Sequence, residues 1–227
     1  MNPRYLYLCL LREKGYLTAQ PSPRLLNKKL TQKLSTMSYA IMASGPRRLI
    51  DFGGDSALQL STHSDPPSYD DVRQAITWKT ASSKLFGQTY QTGRLVATMG
   101  APYSYNGDSL DNPVPMPEIV QTLCDSLSST FGLTFNTCVA NLYPDGSVGL
   151  GAHDDGEKSS SIIVSISFGA QRKITFTKKD KTESHSFLLR HGDICAMCGD
   201  QFQREWKHAI PKSKGLLPRI SLTFRSY

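Results

Sequence analysis

His153, Asp155, His208, Arg219 and Arg225 are the residues whose types and order could do chemistry. His208 follows Asp155 by 53 positions, and the two arginines come after it. Two imidazoles and one carboxylate form the donor set that holds iron(II) on one face and leaves other positions open. Such an iron needs a source of electrons to activate oxygen. A dicarboxylic keto acid supplies them, and fixed guanidinium groups suit its carboxylates. The set therefore reads as a non-haem iron oxygenase site with iron(II), a keto acid and O2.

A lone His-x-Asp is a weak signal, since most such tripeptides are solvated turns. The later His208 and the paired arginines change the weighing. In a strand, alternate residues share a face. Arg219, Ser221, Thr223 and Arg225 would then line one face, and Ile220, Leu222 and Phe224 the other. Two arginines on an inner face are expensive unless an anion neutralises them. His153 and Asp155, at i and i+2 of a strand edge, could reach one ion. Cys195 and Cys198 have a spacing found in zinc sites, but no second Cys-x-x-Cys exists. Three apart in a strand, they would point to opposite faces as buried thiols. His185 and His191 lie in or beside polar loops and are expected to have surface or capping roles.

These residues sit on a pattern that changes along the chain. Ala57–Thr62 alternates as a strand, and Tyr69–Trp78 predicts one or two helical turns. Pro117–Phe131 carries Ile119, Val120, Leu123, Leu127 and Phe131 at helical spacing, with proline at the start and Gly132 beyond the end. The rest is strand signal: Asn136–Tyr143, Ser161–Phe168, Arg172–Thr177, His185–Leu189, Asp193–Cys198, Glu205–Ile210 and Arg219–Phe224. The expected class is α+β, with the strands in a sandwich or barrel.

The formal net charge of +7 over 227 residues is unevenly spread. Residues 1–50 hold nine Lys/Arg and one acid, whereas the other 177 hold 17 Lys/Arg and 18 Asp/Glu. Residues 1–49 thus read as a basic, flexible extension, and 50–227 as the folded domain. The extension would suit nuclear or organelle targeting, mitochondrial included, or added nucleic-acid affinity. Contacts to nucleic acid by the domain must come from local basic patches. No apolar run approaches the ~18 residues of a membrane span, so no membrane partner is expected. The five cysteines are odd in number and irregularly spaced, which argues for a reducing compartment.

Together the motifs resemble the AlkB family of iron(II)- and 2-oxoglutarate-dependent dioxygenases. The resemblance runs through Asn141-Leu-Tyr143-Pro-Asp-Gly, His153-Asp-Asp155-Gly-Glu157, Ser165-Ile-Ser-Phe-Gly-Ala170, Trp206-Lys-His208 and Pro218-Arg219-Ile-Ser-Leu-Thr-Phe-Arg225. It covers about Lys84 to the C-terminus. It implies a double-stranded β-helix (jelly-roll) core with supporting helices. It also implies iron(II) on His153, Asp155 and His208. Asn141, Tyr143 and Arg219 would hold the far carboxylate of 2-oxoglutarate, with Arg225 nearer the metal. Ser221 stands where the family often has Asn.

Upstream, Lys84-Leu85-Phe86-Gly87 and Gly93-Arg94 to Gly100 resemble the branch that repairs double-stranded DNA. There Phe86 would be an apolar wedge that replaces the stacking of a flipped base. Arg94, Lys212 and Lys214 would contact phosphates, Tyr105 would stack on the base, and Tyr103 and Glu157 would approach it. The resemblance implies a monomeric, nuclear enzyme that demethylates N-alkylated bases, of 1-methyladenine or 3-methylcytosine type, in DNA. An RNA demethylase, a protein-modifying relative and a catalytically silent nucleic-acid-binding module are the alternatives.

Overall fold

Eight consecutive strands from Thr137 to Arg225 fold into two facing sheets. In the computed structural model, residues 48–85, 88–102, 104–105, 108–109, 114–156 and 161–226 are described. The eight strands are β7 (Thr137–Tyr143), β8 (Leu150–His153), β9 (Ile162–Gly169), β10 (Arg172–Lys178), β11 (Ser184–Leu189), β12 (Asp193–Cys198), β13 (Trp206–Ile210) and β14 (Arg219–Arg225). Four of them run β12-β9-β14-β7 in the larger sheet, and the others run β11-β10-β13-β8 in the smaller. The chain passes between the sheets at nearly every connection, and all the pairings are antiparallel. That is the double-stranded β-helix.

Four earlier strands widen the larger sheet. These are β1 (Arg48–Asp51), β2 (Ala57–Thr62), β3 (Lys79–Leu85) and β4 (Gln88–Gly100), giving the order β1-β2-β12-β9-β14-β7-β4-β3. Strand β1 pairs its residues Arg48–Asp51 with Ala57–Leu60 of β2. A short ribbon, β5 (Ser104–Tyr105) with β6 (Asp108–Ser109), lies between β4 and the long helix.

Alternation decides what each face of the larger sheet does. Ile220, Leu222 and Phe224 of β14 join Cys138, Ala140 and Leu142 of β7 in one buried cluster on the outer face. Helices α1 (Tyr69–Ala75) and α2 (Glu118–Phe131) cover that face with Val72, Val120, Leu123, Leu127 and Phe131. These α2 residues share one helical stripe. Ser68 caps α1, its Oγ accepting from the Asp71 backbone N–H at 3.1 Å. Gly132 ends α2 with φ 63°, the left-handed conformation that favours glycine.

A second cluster fills one part of the space between the sheets. Tyr143, Ile163, Phe176, Cys195, Met197, Phe202 and Trp206 meet there, and Phe52 joins from the turn after β1. The Phe52 ring lies 4.5 Å from that of Trp206. Cys195 faces this inner cluster and Cys198 the outer one, so the two thiols part to opposite faces as expected. Burial pushes both up to about 12, and neither is a thiolate.

Two local expectations shift. Tyr69–Trp78 is helical only to Ala75; Ile76 is extended, and Trp78 Nε1 folds back to donate to the Arg73 carbonyl at 2.9 Å. Glu205 closes a short helix, α3 (Phe202–Glu205), and the strand starts at Trp206. The expected extension up to residue 47, the wedge Phe86-Gly87, Tyr103 and Glu157 lie outside the described residues. Tyr105 is placed as a strand position only.

Candidate active site

The cup between the sheets collects its polar residues from alternate positions of central strands. In β14 the residues Arg219, Ser221, Thr223 and Arg225 turn inward, opposite the apolar set. In register beside them stand Tyr143 next to Arg219, Asn141 next to Ser221, and Ser167 on the other side of Ser221. Strand alternation alone therefore assembles five of the residues expected from the sequence.

The metal candidates come from the smaller sheet. His153 and His208 are directly paired across β8 and β13, and their ring centroids are 4.3 Å apart. Asp155 lies two residues past the end of β8, not within a strand, and still turns back to both rings. Its carboxylate is 3.9 Å from His153 Nε2 and 4.0 Å from His208 Nε2. All three ligand atoms lie within 4.8 Å of one another.

Hydrogen bonds explain why Asp155 can turn back. Its backbone N–H donates to Gln203 Oε1 at 2.9 Å. Lys179 Nζ reaches both the Gln203 carbonyl, at 3.0 Å, and Asp154, at 2.9 Å. Gln203 on α3 and Lys179 after β10 thus pin the turn that aims the carboxylate. Sequence reading missed both, since a Gln and a Lys far from the motif carry no local mark.

The donors fit a divalent cation. Asp155 is 5% exposed, and its Oδ1 accepts from Arg225 Nη2 at 2.7 Å. Its Oδ2 is buried with no hydrogen-bond partner among the described residues. A buried carboxylate oxygen left open in this way is costly unless something positive meets it. His153 Nδ1 bonds the Gly151 carbonyl at 2.9 Å, which leaves Nε2 as the free donor. Burial of the His208 ring, with His153 beside it, outweighs the attraction of Asp155 and lowers its pKa to about 4. His208 is therefore neutral, the form that ligates metal. Burial raises Asp155, but Arg225 and the two imidazoles outweigh it and hold the carboxyl at about 2.

The second fit concerns the anion. Arg219 is 1% exposed, and its Nη2 donates to Ser167 Oγ at 2.9 Å. Its Nε and Nη1 have no hydrogen-bond partner among the described residues. An arginine so buried, with two donors to spare, calls for a carboxylate. Arg94, half-buried on β4, also faces the cup, and its Nη1 donates to Asn141 Oδ1 at 2.6 Å. That bond is short for N–H···O and charge-assisted. It fixes the amide so that its NH2, not its oxygen, remains to offer a donor. Arg94, for which the sequence suggested a phosphate contact, thus has Asn141 as a partner.

Lys212 and Lys214 are exposed in the loop between β13 and β14. This loop is zipped to the β7–β8 loop: Ser213 N–H donates to the Gly146 carbonyl at 2.7 Å, and Gly146 N–H to Leu216 at 3.1 Å. Any Cβ at Gly146 would fall 1.6 Å from the Ser213 oxygen, so only glycine permits this approach. The β3–β4 hairpin stays paired as far as Leu85 and Gln88. Gln88 to Gln91 are exposed, Tyr90 at 48%. His191 Nδ1 accepts from Gly169 N–H at 3.1 Å, a capping role.

The family model of the 2OG-Fe(II) oxygenase superfamily matches residues 15–225 of the chain. The chain belongs to the AlkB family within that superfamily. Human DNA oxidative demethylase ALKBH2 is 34% identical over 165 residues, covering 66% of this chain and 62% of that protein. Human alpha-ketoglutarate-dependent dioxygenase alkB homolog 3 is 30% identical over 184 residues, covering 70% and 64%. Its rat counterpart is 32% identical over 223 residues, covering 92% of this chain and 72% of that protein. The chain spans about three fifths of the length of the bovine and human ALKBH2 proteins.

Within an AlkB-family chain, Arg219→Ala is expected to weaken 2-oxoglutarate binding by tenfold or more, roughly 1.4 kcal/mol or above. Arg219→Lys should restore only part of it, because the planar fork is lost. Calorimetry with Mn(II) in place of iron measures both, and unchanged affinity in Arg219→Ala would move the carboxylate elsewhere.

Proposed function

We propose that the chain is an Fe(II)- and 2-oxoglutarate-dependent demethylase of N-alkylated bases, of 1-methyladenine or 3-methylcytosine type, in DNA. The observation that carries this reading is the His153, Asp155 and His208 cluster set in a cup lined by Arg219 and Arg225. The relatives named for DNA demethylation support the substrate class.

Iron(II) held by the three ligands, with 2-oxoglutarate and O2, would supply oxidation of a C–H bond. The N-methyl group would become N-hydroxymethyl, which releases formaldehyde and leaves the normal base; 2-oxoglutarate would leave as succinate and CO2. The chain's own residues do the rest. Arg219, Tyr143 and Asn141 would hold the far carboxylate. Arg225 would keep the Asp155 carboxylate turned to the metal. The methyl lies on the pairing edge of the base, so the base must leave the stack to reach the cup. Tyr105, Tyr103 and Glu157 are the proposed base contacts.

The sequence Leu85-Phe86-Gly87, which stands between strands β3 and β4, supports duplex DNA over RNA. Lys212 and Lys214 would meet the backbone. The chain would act as a monomer in the nucleus, or in an organelle that holds DNA. No described helix is long and apolar enough to cross a membrane.

The experiment compares 1-methyladenine in duplex DNA, single-stranded DNA and RNA, with iron and 2-oxoglutarate supplied. Phe86→Ala is expected to lower turnover of duplex about tenfold or more, and of single strands little, since base-sized stacking is worth about 1–3 kcal/mol. Equal losses on both, with a lowered melting temperature, would make Phe86 a structural residue and favour the RNA reading. Activity on none of the three would sink the demethylase assignment.

A further inference from the structure

Arg172 is 0% exposed at the start of β10, and nothing in the metal cluster uses it. Among the described residues it makes no ion pair with a carboxylate. Its hydrogen bonds go to backbone carbonyls instead. Nη1 donates to Asp145 at 3.1 Å, and Nη2 to Val148 at 2.8 Å and Pro211 at 3.0 Å. Two of these carbonyls belong to the β7–β8 loop and the third to the β13–β14 loop. One guanidinium thereby fastens together the two loops that Gly146 and Ser213 also zip.

The same guanidinium lies 5.3 Å from the Tyr143 ring centroid, and that of Arg219 lies 5.5 Å from it. Tyr143 thus carries two buried cations over its ring. A buried cation without a counter-charge is costly. A hydrophobic side chain could fill the volume without that cost, so stability alone is a poor reason for an arginine here. What the arginine adds is direction and charge. It orients Tyr143 by a cation–π contact, and it places a second positive group near Arg219, whose Nε and Nη1 have no hydrogen-bond partner among the described residues.

We propose that Arg172 is a positioning residue for the co-substrate pocket, fixing Tyr143 and Arg219 for the distal carboxylate of a dicarboxylic keto acid. This rests on the co-substrate reading above. It makes a selective claim: losing Arg172 should harm ligands that carry a distal carboxylate and spare those that lack it.

The test is calorimetry of the full chain with Mn(II), titrated with 2-oxoglutarate and, separately, with 2-oxovalerate. The second acid has the same length and keto end but no distal carboxylate. In Arg172→Met the dissociation constant for 2-oxoglutarate should rise about tenfold, while that for 2-oxovalerate stays unchanged. Arg172→Lys should show the same selectivity with a smaller loss, because a single ammonium keeps the charge but not the planar contact. If Arg172→Met does not fold, Arg172→Lys carries the test by itself. Equal weakening of both acids, or a lowered melting temperature with unchanged 2-oxoglutarate affinity, would make Arg172 a loop clamp only and overturn the proposal. Wild-type protein that binds neither acid would instead sink the co-substrate reading, and the proposal with it.

Discussion

Asp155→Asn is expected to reduce turnover to the background of a metal-free sample while the protein stays folded. The substitution removes the one carboxylate of the cluster and little else. An amide oxygen can still accept from Arg225 Nη2, and the backbone N–H still donates to Gln203. What is lost is the negative charge that sits 3.9 and 4.0 Å from the two imidazoles. A hard divalent cation prefers that charge to a neutral amide. Asp155→Ala is the harsher variant, because it also leaves the buried Arg225 guanidinium without its carboxylate, and a loss of activity there would mix two causes. The measurement is Mn(II) binding by calorimetry beside turnover, with circular dichroism to check the fold. Saturable Mn(II) binding or full activity in Asp155→Asn would remove Asp155 from the metal site.

The sequence made much of this site readable because strand alternation is a simple code. Four polar residues at 219, 221, 223 and 225, with three apolar ones between them, stated which face of β14 meets the cup. The outer cluster then follows from the periodicity of α2 and the odd-even pattern of β7. What stayed hidden is what no period marks. Asp155 approaches the two imidazoles from a turn, held there by Gln203 and Lys179, so its i, i+2 spacing with His153 is not a strand relation. Arg172 looked like an ordinary strand residue, since burial of a cation by backbone carbonyls leaves no trace in local composition. For Arg94 the sequence suggested a phosphate contact, and the pairing of β4 with β7 also brings its guanidinium to Asn141. The long-range register decided each of these, and register is not visible in one chain read end to end.

That register also gives Arg225 a role distinct from its expected help at the near end of the keto acid. It holds Asp155 through a buried pair, with the two side chains 4% and 5% exposed. Breaking such a pair from one side costs about 3–5 kcal/mol, because the remaining charge stays buried. Arg225→Met keeps the volume and removes the partner. In metal-free protein this is expected to lower the melting temperature by roughly 6–20 °C for a domain of this size. A divalent cation offers Asp155 a new counter-charge, so adding Mn(II) should raise the melting temperature more in Arg225→Met than in the wild type. The gap between them should narrow as the metal saturates. Scanning calorimetry with and without Mn(II) reads both effects. A variant as stable as the wild type without metal would show that Asp155 does not depend on Arg225. An unchanged gap on adding Mn(II) would show that the metal does not sit on Asp155.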